Sequence, residues 1–141
     1  MSFYLDTSAL VAATTNEAKT NAVQQWLNGK TAQDLAISDW VVTEYSSALS
    51  IKLREKQIDV ANRGRASALF ASLCAGSLSI LPVLGTHFRA AAHFADQYAL
   101  GLRSGDALHL AVAADHGFTL CTLDKRQYSA GPALGVRTLL L

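Results

Sequence analysis

The sequence predicts an α/β fold, a three-layer α/β/α sandwich around a mostly parallel sheet of about five short strands. Three observations carry this expectation. Five short segments read as strands: Phe3–Leu5, Leu35–Ser38, Leu78–Leu81, Phe118–Cys121 and Val136–Leu139. Long Ala- and Leu-rich stretches with helical spacing lie between them, and strands that alternate with helices imply a parallel sheet covered on both faces. The chain has 141 residues, half of them hydrophobic, which suits one compact domain with a real core. Residues 1–141 therefore read as a single domain, with no internal repeat, low-complexity tract or linker.

Each element has its own signal. Phe3-Tyr4-Leu5 is apolar and ends at Asp6, and Ser8 is placed to cap a helix running into Ala9-Leu10-Val11. Asp39–Gln57 is strongly helical and carries Glu44, with Val41 three residues before it and Ala48 four after, on one apolar face. Asp59 is the expected N-cap of a helix whose face holds Ala66, Leu69, Phe70, Leu73 and Cys74 and which stops near Gly76. Thr86 is the expected cap of a helix through Phe94 and Tyr98, stopped near Gly101. Asp106–Ala114 has almost no polar face and must be a buried helix opened by its acid. After the strand Phe118–Cys121, a short turn, Thr122-Leu123, leads to Asp124.

Composition narrows the function. The net charge is +1, from 12 Lys and Arg against 11 Asp and Glu, so a polyanion partner would need local positive charge. The two cysteines, Cys74 and Cys121, form no zinc or CxxC spacing and read as reduced core residues. No charged-then-apolar leader precedes Asp6 and no apolar run reaches the ~18 residues that span a bilayer. A soluble, cytoplasmic protein with no membrane association is expected. Gly29-Lys30-Thr31 resembles a P-loop ending, but position 24 is Gln and no strand precedes it. The four histidines have no HExxH spacing, and there is no G-x-S-x-G elbow.

Four acids stand in costly places. Asp6 lies between two apolar segments, at the carboxyl end of a strand, where open α/β sheets bind ligands. Glu44 sits on a buried helix face, Asp106 opens a buried helix and Asp124 follows another strand. Taken singly, Asp106 fits a helix N-terminus and Asp124 a turn. Taken together they can converge on one edge of the sheet. Two carboxylates ~5 Å apart repel by roughly 3 kcal/mol at an effective dielectric near 20, so four in one place call for a cation. A hard divalent ion with oxygen ligands suits them, and Mg²⁺ or Mn²⁺ held this way binds phosphate oxygens and lowers the pKa of a bound water.

The ordered set Tyr4-Leu5-Asp6-Thr7-Ser8-Ala9-Leu10, Ile37-Ser38 through Glu44-Tyr45, Asp106-Ala107-Leu108-His109-Leu110-Ala111, Thr122-Leu123-Asp124 and Leu134-Gly135-Val136 resembles PIN-domain ribonucleases. It is most similar to VapC-type toxins of toxin–antitoxin pairs. The resemblance spans nearly the whole chain and implies a PIN-like nuclease fold with Asp6, Glu44, Asp106 and Asp124 as the catalytic, metal-holding acids. It implies Ser8 and Thr122 as supporting hydroxyls, and Mg²⁺ with Mn²⁺ able to substitute. It also implies cleavage of transfer or ribosomal RNA, a homodimer and inhibition by a small cognate antitoxin. Where some relatives carry another acid after the last aspartate, this chain has Lys125 and Arg126, which points to one firm metal site.

Arg103, Lys125 and Arg126 lie near the acid motifs and are candidates for RNA phosphate contacts, as is Arg89 farther off. His109 shares a helix face with Asp106 and reads as a packed, hydrogen-bonded histidine. Two other functions remain open on the sequence. A haloacid-dehalogenase-type phosphatase also places an aspartate after its first strand, although it usually wants a second where Ser8 stands. A non-catalytic PIN domain would bind RNA or a partner without turnover.

Overall fold

The computed structural model describes residues 1–141. Five strands form one sheet: β1 Phe3–Leu5, β2 Leu35–Ser38, β3 Ser79–Leu81, β4 Thr119–Thr122 and β5 Thr138–Leu140. Seven helices connect them: α1 Thr7–Thr14, α2 Thr20–Asn28, α3 Asp39–Arg54, α4 Val60–Gly76, α5 Gly85–Asp96, α6 Ser104–His116 and α7 Lys125–Ala133. The strand order is β3-β2-β1-β4-β5 and every pairing is parallel. The expected α/β architecture with a parallel central sheet is therefore what the chain adopts.

This order has a consequence for function. The chain walks outward from β1 to β2 and β3, then returns to place β4 on the other side of β1. Because parallel crossovers are right-handed, the reversal puts the first helices on one face of the sheet and the later ones on the other. The packing agrees: α1 contacts α2, α3 and α4, whereas α5 packs against α6. The reversal also makes the gap between the carboxyl ends of β1 and β4 the topological switch point, where ligands bind in open α/β sheets. Asp6 and Asp124 leave these two strands.

The core follows from the residues of the central strands. Tyr4, Leu5, Ile37, Leu120 and Cys121 are fully buried and share one apolar cluster with Leu10, Val41, Tyr45 and Leu110. Tyr45 stacks on Phe70 at 4.0 Å between ring centroids, which fixes α3 against α4. In α6 every residue from Ala107 to Val112 and Ala113 is buried, as its lack of a polar face required. No helix is long and apolar enough to cross a membrane.

Several boundaries differ from the sequence reading. α1 is capped by Asp6, whose carboxylate accepts the Ala9 amide, while Ser8 lies inside the first turn. α5 starts at Gly85, not under a Thr86 cap. The Leu84 amide donates to His87 Nδ1, and the helix ends at Asp96 before a 3-10 turn at Tyr98–Leu100. Gly101 ends that turn with a φ of 65°, a conformation glycine adopts without steric cost. α3 stops at Arg54, and α6 opens at Ser104, with Asp106 third in the helix. β4 runs one residue later than expected, which moves Thr122 from the turn into the strand. Asp59 caps α4 as read, with a reciprocal bond from Asn62.

Candidate active site

All four acids lie at the carboxyl edge of the sheet. Asp6 directly follows β1 and Asp124 comes two residues after β4. Glu44 is in the second turn of α3, which starts immediately after β2. α6 runs back towards β4, so its first turn, with Asp106, lies at the same edge.

Asp6 is 4% exposed, and both of its oxygens are occupied. Oδ1 accepts from Ser8 Oγ at 2.6 Å and from the Ala9 amide at 3.2 Å, and Oδ2 accepts from Thr122 Oγ1 at 2.5 Å. The two hydroxyls are themselves fixed. Ser8 Oγ accepts from the Leu123 amide and Thr122 Oγ1 from the Asp124 amide, so the β4 exit is laced to Asp6. Burial still pushes the Asp6 carboxyl above the usual range, with the charge of His109 and the three bonds acting against it. Ser8 and Thr122 thus each hold one oxygen of Asp6.

The other three acids are each tied by one oxygen. Asp124 Oδ1 caps α7 by accepting the Arg126 and Gln127 amides. Asp106 Oδ2 accepts the Arg103 amide at 3.4 Å. Glu44 Oε1 accepts from Thr7 Oγ1 at 2.7 Å and pairs with His109 Nε2 at 2.5 Å. In each case the second oxygen makes no hydrogen bond within the protein. Gly105 is what allows α6 to approach: a Cβ there would lie 2.9 Å from Glu44 Oε2 and 3.4 Å from Trp40 Nε1. Trp40 Nε1 is buried without a hydrogen-bond partner. It acts on Glu44 as a nearby dipole, short of a formed bond.

Their electrostatics differ. Burial raises the Asp106 carboxyl first and the charge of Asp124 second, with Asp6 adding to the same direction. Burial also acts to raise Glu44, but the bond and charge of His109, then Thr7 and Trp40, outweigh it and hold the carboxyl below its ordinary value. No Lys or Arg stands within ion-pair distance of any of the four acids. Arg103, Lys125 and Arg126 instead line a wholly polar pocket with Asp106 and Asp124. Their exposed cations flank the acids and do not neutralise them.

A sequence profile of the PIN domain matches residues 3–131. The chain belongs to the PIN domain family. No curated protein matches it, but solved structures do. FitAcB from Neisseria gonorrhoeae superposes with a TM-score of 0.73 at 19% identity, over 97% of this chain and 96% of that one. VapC20 from Mycobacterium tuberculosis, a toxin that cleaves the sarcin–ricin loop, gives 0.73 at 18% identity, over 92% and 95%. A toxin–antitoxin complex from Klebsiella pneumoniae gives 0.68 at 17% identity, over 98% and 96%. This PIN domain therefore shares its fold with proteins of toxin–antitoxin systems.

Two residues that bond to the acids of this edge escaped the sequence reading. Gln127 is fully buried; its side-chain amide donates to the Asp106 carbonyl at 3.3 Å and its backbone amide to Asp124. It joins the α6 and α7 acids, and its place three residues after a helix-capping Asp was the available signal. Thr7 holds Glu44 from the first turn of α1. His109 was read as a packed histidine, and it is packed, but its partner is a site acid.

A second cluster, His87, Asp115 and His116, has ligand atoms within 4.8 Å of one another. It lies at the far end of α6, nine residues or ~13 Å of helix from Asp106. His87 Nδ1 already accepts the Leu84 amide, so Nε2 keeps its proton and donates to Asp115 at 2.9 Å. With no lone pair free, His87 joins α5 to α6 and is not a ligand.

Proposed function

We propose that this PIN domain is a Mg²⁺-dependent endoribonuclease, the toxin of a VapBC-type pair that cleaves transfer or ribosomal RNA and arrests growth. One observation supports it above the others: four carboxylates stand along the carboxyl edge of the sheet around the β1–β4 switch point, with no Lys or Arg in ion-pair distance of them. The donor set is all oxygen, which fits Mg²⁺ or Mn²⁺ and does not fit a soft metal. Nucleases of this family generally use a divalent ion. Asp6, Glu44, Asp106 and Asp124 would hold it, directly or through water. When bound, such an ion polarises the scissile phosphate and lowers the pKa of water beside it.

The chain's own residues do the rest. Ser8 and Thr122 hold the Asp6 carboxyl immobile at the centre and act against the effect of its burial. Asp106 and Asp124 each leave one oxygen unbonded on the pocket side. Arg103, Lys125 and Arg126 bind backbone phosphates on either side of the scissile one and orient the strand. No histidine or lysine is placed as a general base, so a site carboxylate takes the proton. A cognate antitoxin would cover this edge, and a homodimer is the expected assembly in the cytoplasm. The phosphatase alternative needs a second aspartate two residues after Asp6, where this chain has Ser8. A non-catalytic PIN domain would keep RNA affinity without turnover.

The test is cleavage of total RNA by purified protein with Mg²⁺ or Mn²⁺, with and without EDTA. Cuts made by wild type, lost in EDTA and lost in Asp6→Asn with the fold intact, support the reading. Equal cutting by Asp6→Asn, or cutting in excess EDTA, would overturn it.

A further inference from the structure

A chain of buried hydrogen bonds leaves the acidic edge and runs into the core. Glu44 Oε1 pairs with His109 Nε2 at 2.5 Å, His109 Nδ1 with the Tyr4 hydroxyl at 2.8 Å, and that hydroxyl with Ser38 Oγ at 2.7 Å. His109 is 3% exposed, Tyr4 and Ser38 are fully buried, and they come from α6, β1 and the end of β2. We propose that His109, set by Tyr4 and Ser38, is a positioning residue that fixes the Glu44 carboxylate so that only Oε2 is offered to a bound cation.

One direction is fixed at the acid. Glu44 is a carboxylate already accepting from Thr7, so His109 Nε2 must donate to it. Nδ1 pairs with the Tyr4 hydroxyl and that hydroxyl with Ser38. Nε2 donates to Glu44 whichever way the proton between Nδ1 and Tyr4 runs, and partners at both nitrogens hold the imidazole in a single plane. A histidine that donates to a carboxylate ligand restricts it as second-layer partners of metal sites do, and losing such a partner typically costs 10- to 100-fold in metal affinity. Without His109, Glu44 has one bond, from Thr7, and its side chain is free to turn or to chelate with both oxygens. Apolar residues surround the imidazole on α6, so nothing else on that helix can take over the role.

The inference rests on the reading of Glu44 as part of a cation site, and the test separates the two. Mn²⁺ dissociation constants are measured by electron paramagnetic resonance, with thermal melts in EDTA as the check on folding. His109→Gln keeps an N–H donor near the Nε2 position, and His109→Asn does not. Mn²⁺ affinity within about threefold of wild type for His109→Gln, against a loss of about 10- to 100-fold for His109→Asn, is expected. Tyr4→Phe, which leaves the ring but frees the imidazole, should weaken Mn²⁺ about two- to fivefold, and it carries the test if His109→Asn fails to fold. Wild-type affinity in folded His109→Asn or in Tyr4→Phe overturns the positioning role, as does equal impairment of the Gln and Asn variants. Absence of Mn²⁺ binding by wild type instead overturns the cation site itself.

Discussion

Glu44 Oε2 lies against Gly105, the residue before Asp106, yet the carboxylates of Glu44 and Asp106 are held in opposite ways. Glu44 is satisfied before any ligand arrives, with Thr7 and His109 on one oxygen and a net stabilisation of its charge. Asp106 has one long bond from its own helix and faces Asp124 and Asp6, so its charge is resisted. The Glu44 side is preorganised; the Asp106–Asp124 side is charged and unpaired. An edge made of both stores repulsion where a cation would sit and keeps a fixed oxygen beside it. Preorganisation alone would give a structural carboxylate, and unpaired charge alone would be discharged by protonation.

The largest break in this contrast is expected from Asp106→Asn. RNA cleavage should fall by at least about a hundredfold, since several kcal/mol of charge stabilisation leave with the ligand. Glu44→Gln should cost less, about ten- to hundredfold: Thr7 and His109 hold its amide oxygen at the Oε1 position, so an NH₂ stands in place of Oε2, but the Asp106–Asp124 pair that carries the unpaired charge stays intact. End-labelled RNA cut in Mg²⁺ reads both, and equal loss in the two variants would remove the distinction. Gly105→Ala comes next: its Cβ would crowd Glu44 Oε2, so cleavage should fall about three- to tenfold at unchanged folding.

Stability in EDTA should separate the two acids by sign. Asp106 has a raised carboxyl pKa, so the folded state binds its proton more tightly than the unfolded chain. Its contribution to stability is present below the unfolded pKa and is lost as pH rises through the folded one. Asp106→Asn should therefore melt higher than wild type at neutral pH, by about 1–3 °C given its half-buried setting, and the gap should close towards pH 3. Glu44 has a lowered pKa, so its contribution is present above the unfolded value and lost as pH falls through the folded one. Glu44→Gln should melt lower at neutral pH, with that gap also closing in acid. The smallest effect concerns the flanking cations. Lys125→Ala and Arg126→Ala should each weaken RNA binding modestly, reduce the salt slope by about one and leave Mn²⁺ affinity alone.

How much of this was legible in the sequence depends on whether the signal was local. Asp6 and Glu44 betrayed themselves because an ionised group among apolar neighbours is costly wherever the chain folds. The Asp59 cap and the buried α6 were legible for the same reason. Val136 misled: it is buried, as its apolar character says, but the ladder of β5 begins at Thr138, since burial and strand pairing are separate facts. Thr86 looked like a cap, whereas a histidine three residues into the helix supplies the acceptor instead. The Tyr4–His109 bond spans 105 positions and the Thr122–Asp6 bond 116, so no pattern in either segment could announce them. The acids were readable one by one; what holds them was not.

The central claim is that the β1–β4 switch point holds a divalent cation. Crystals grown or soaked with Mn²⁺ test it directly through anomalous scattering. One strong peak within coordination distance of Asp6, Asp106 or Asp124 oxygens, with Glu44 Oε2 directly or through water, is predicted. Absence of density there, or a peak confined to His87, Asp115 and His116, would contradict it.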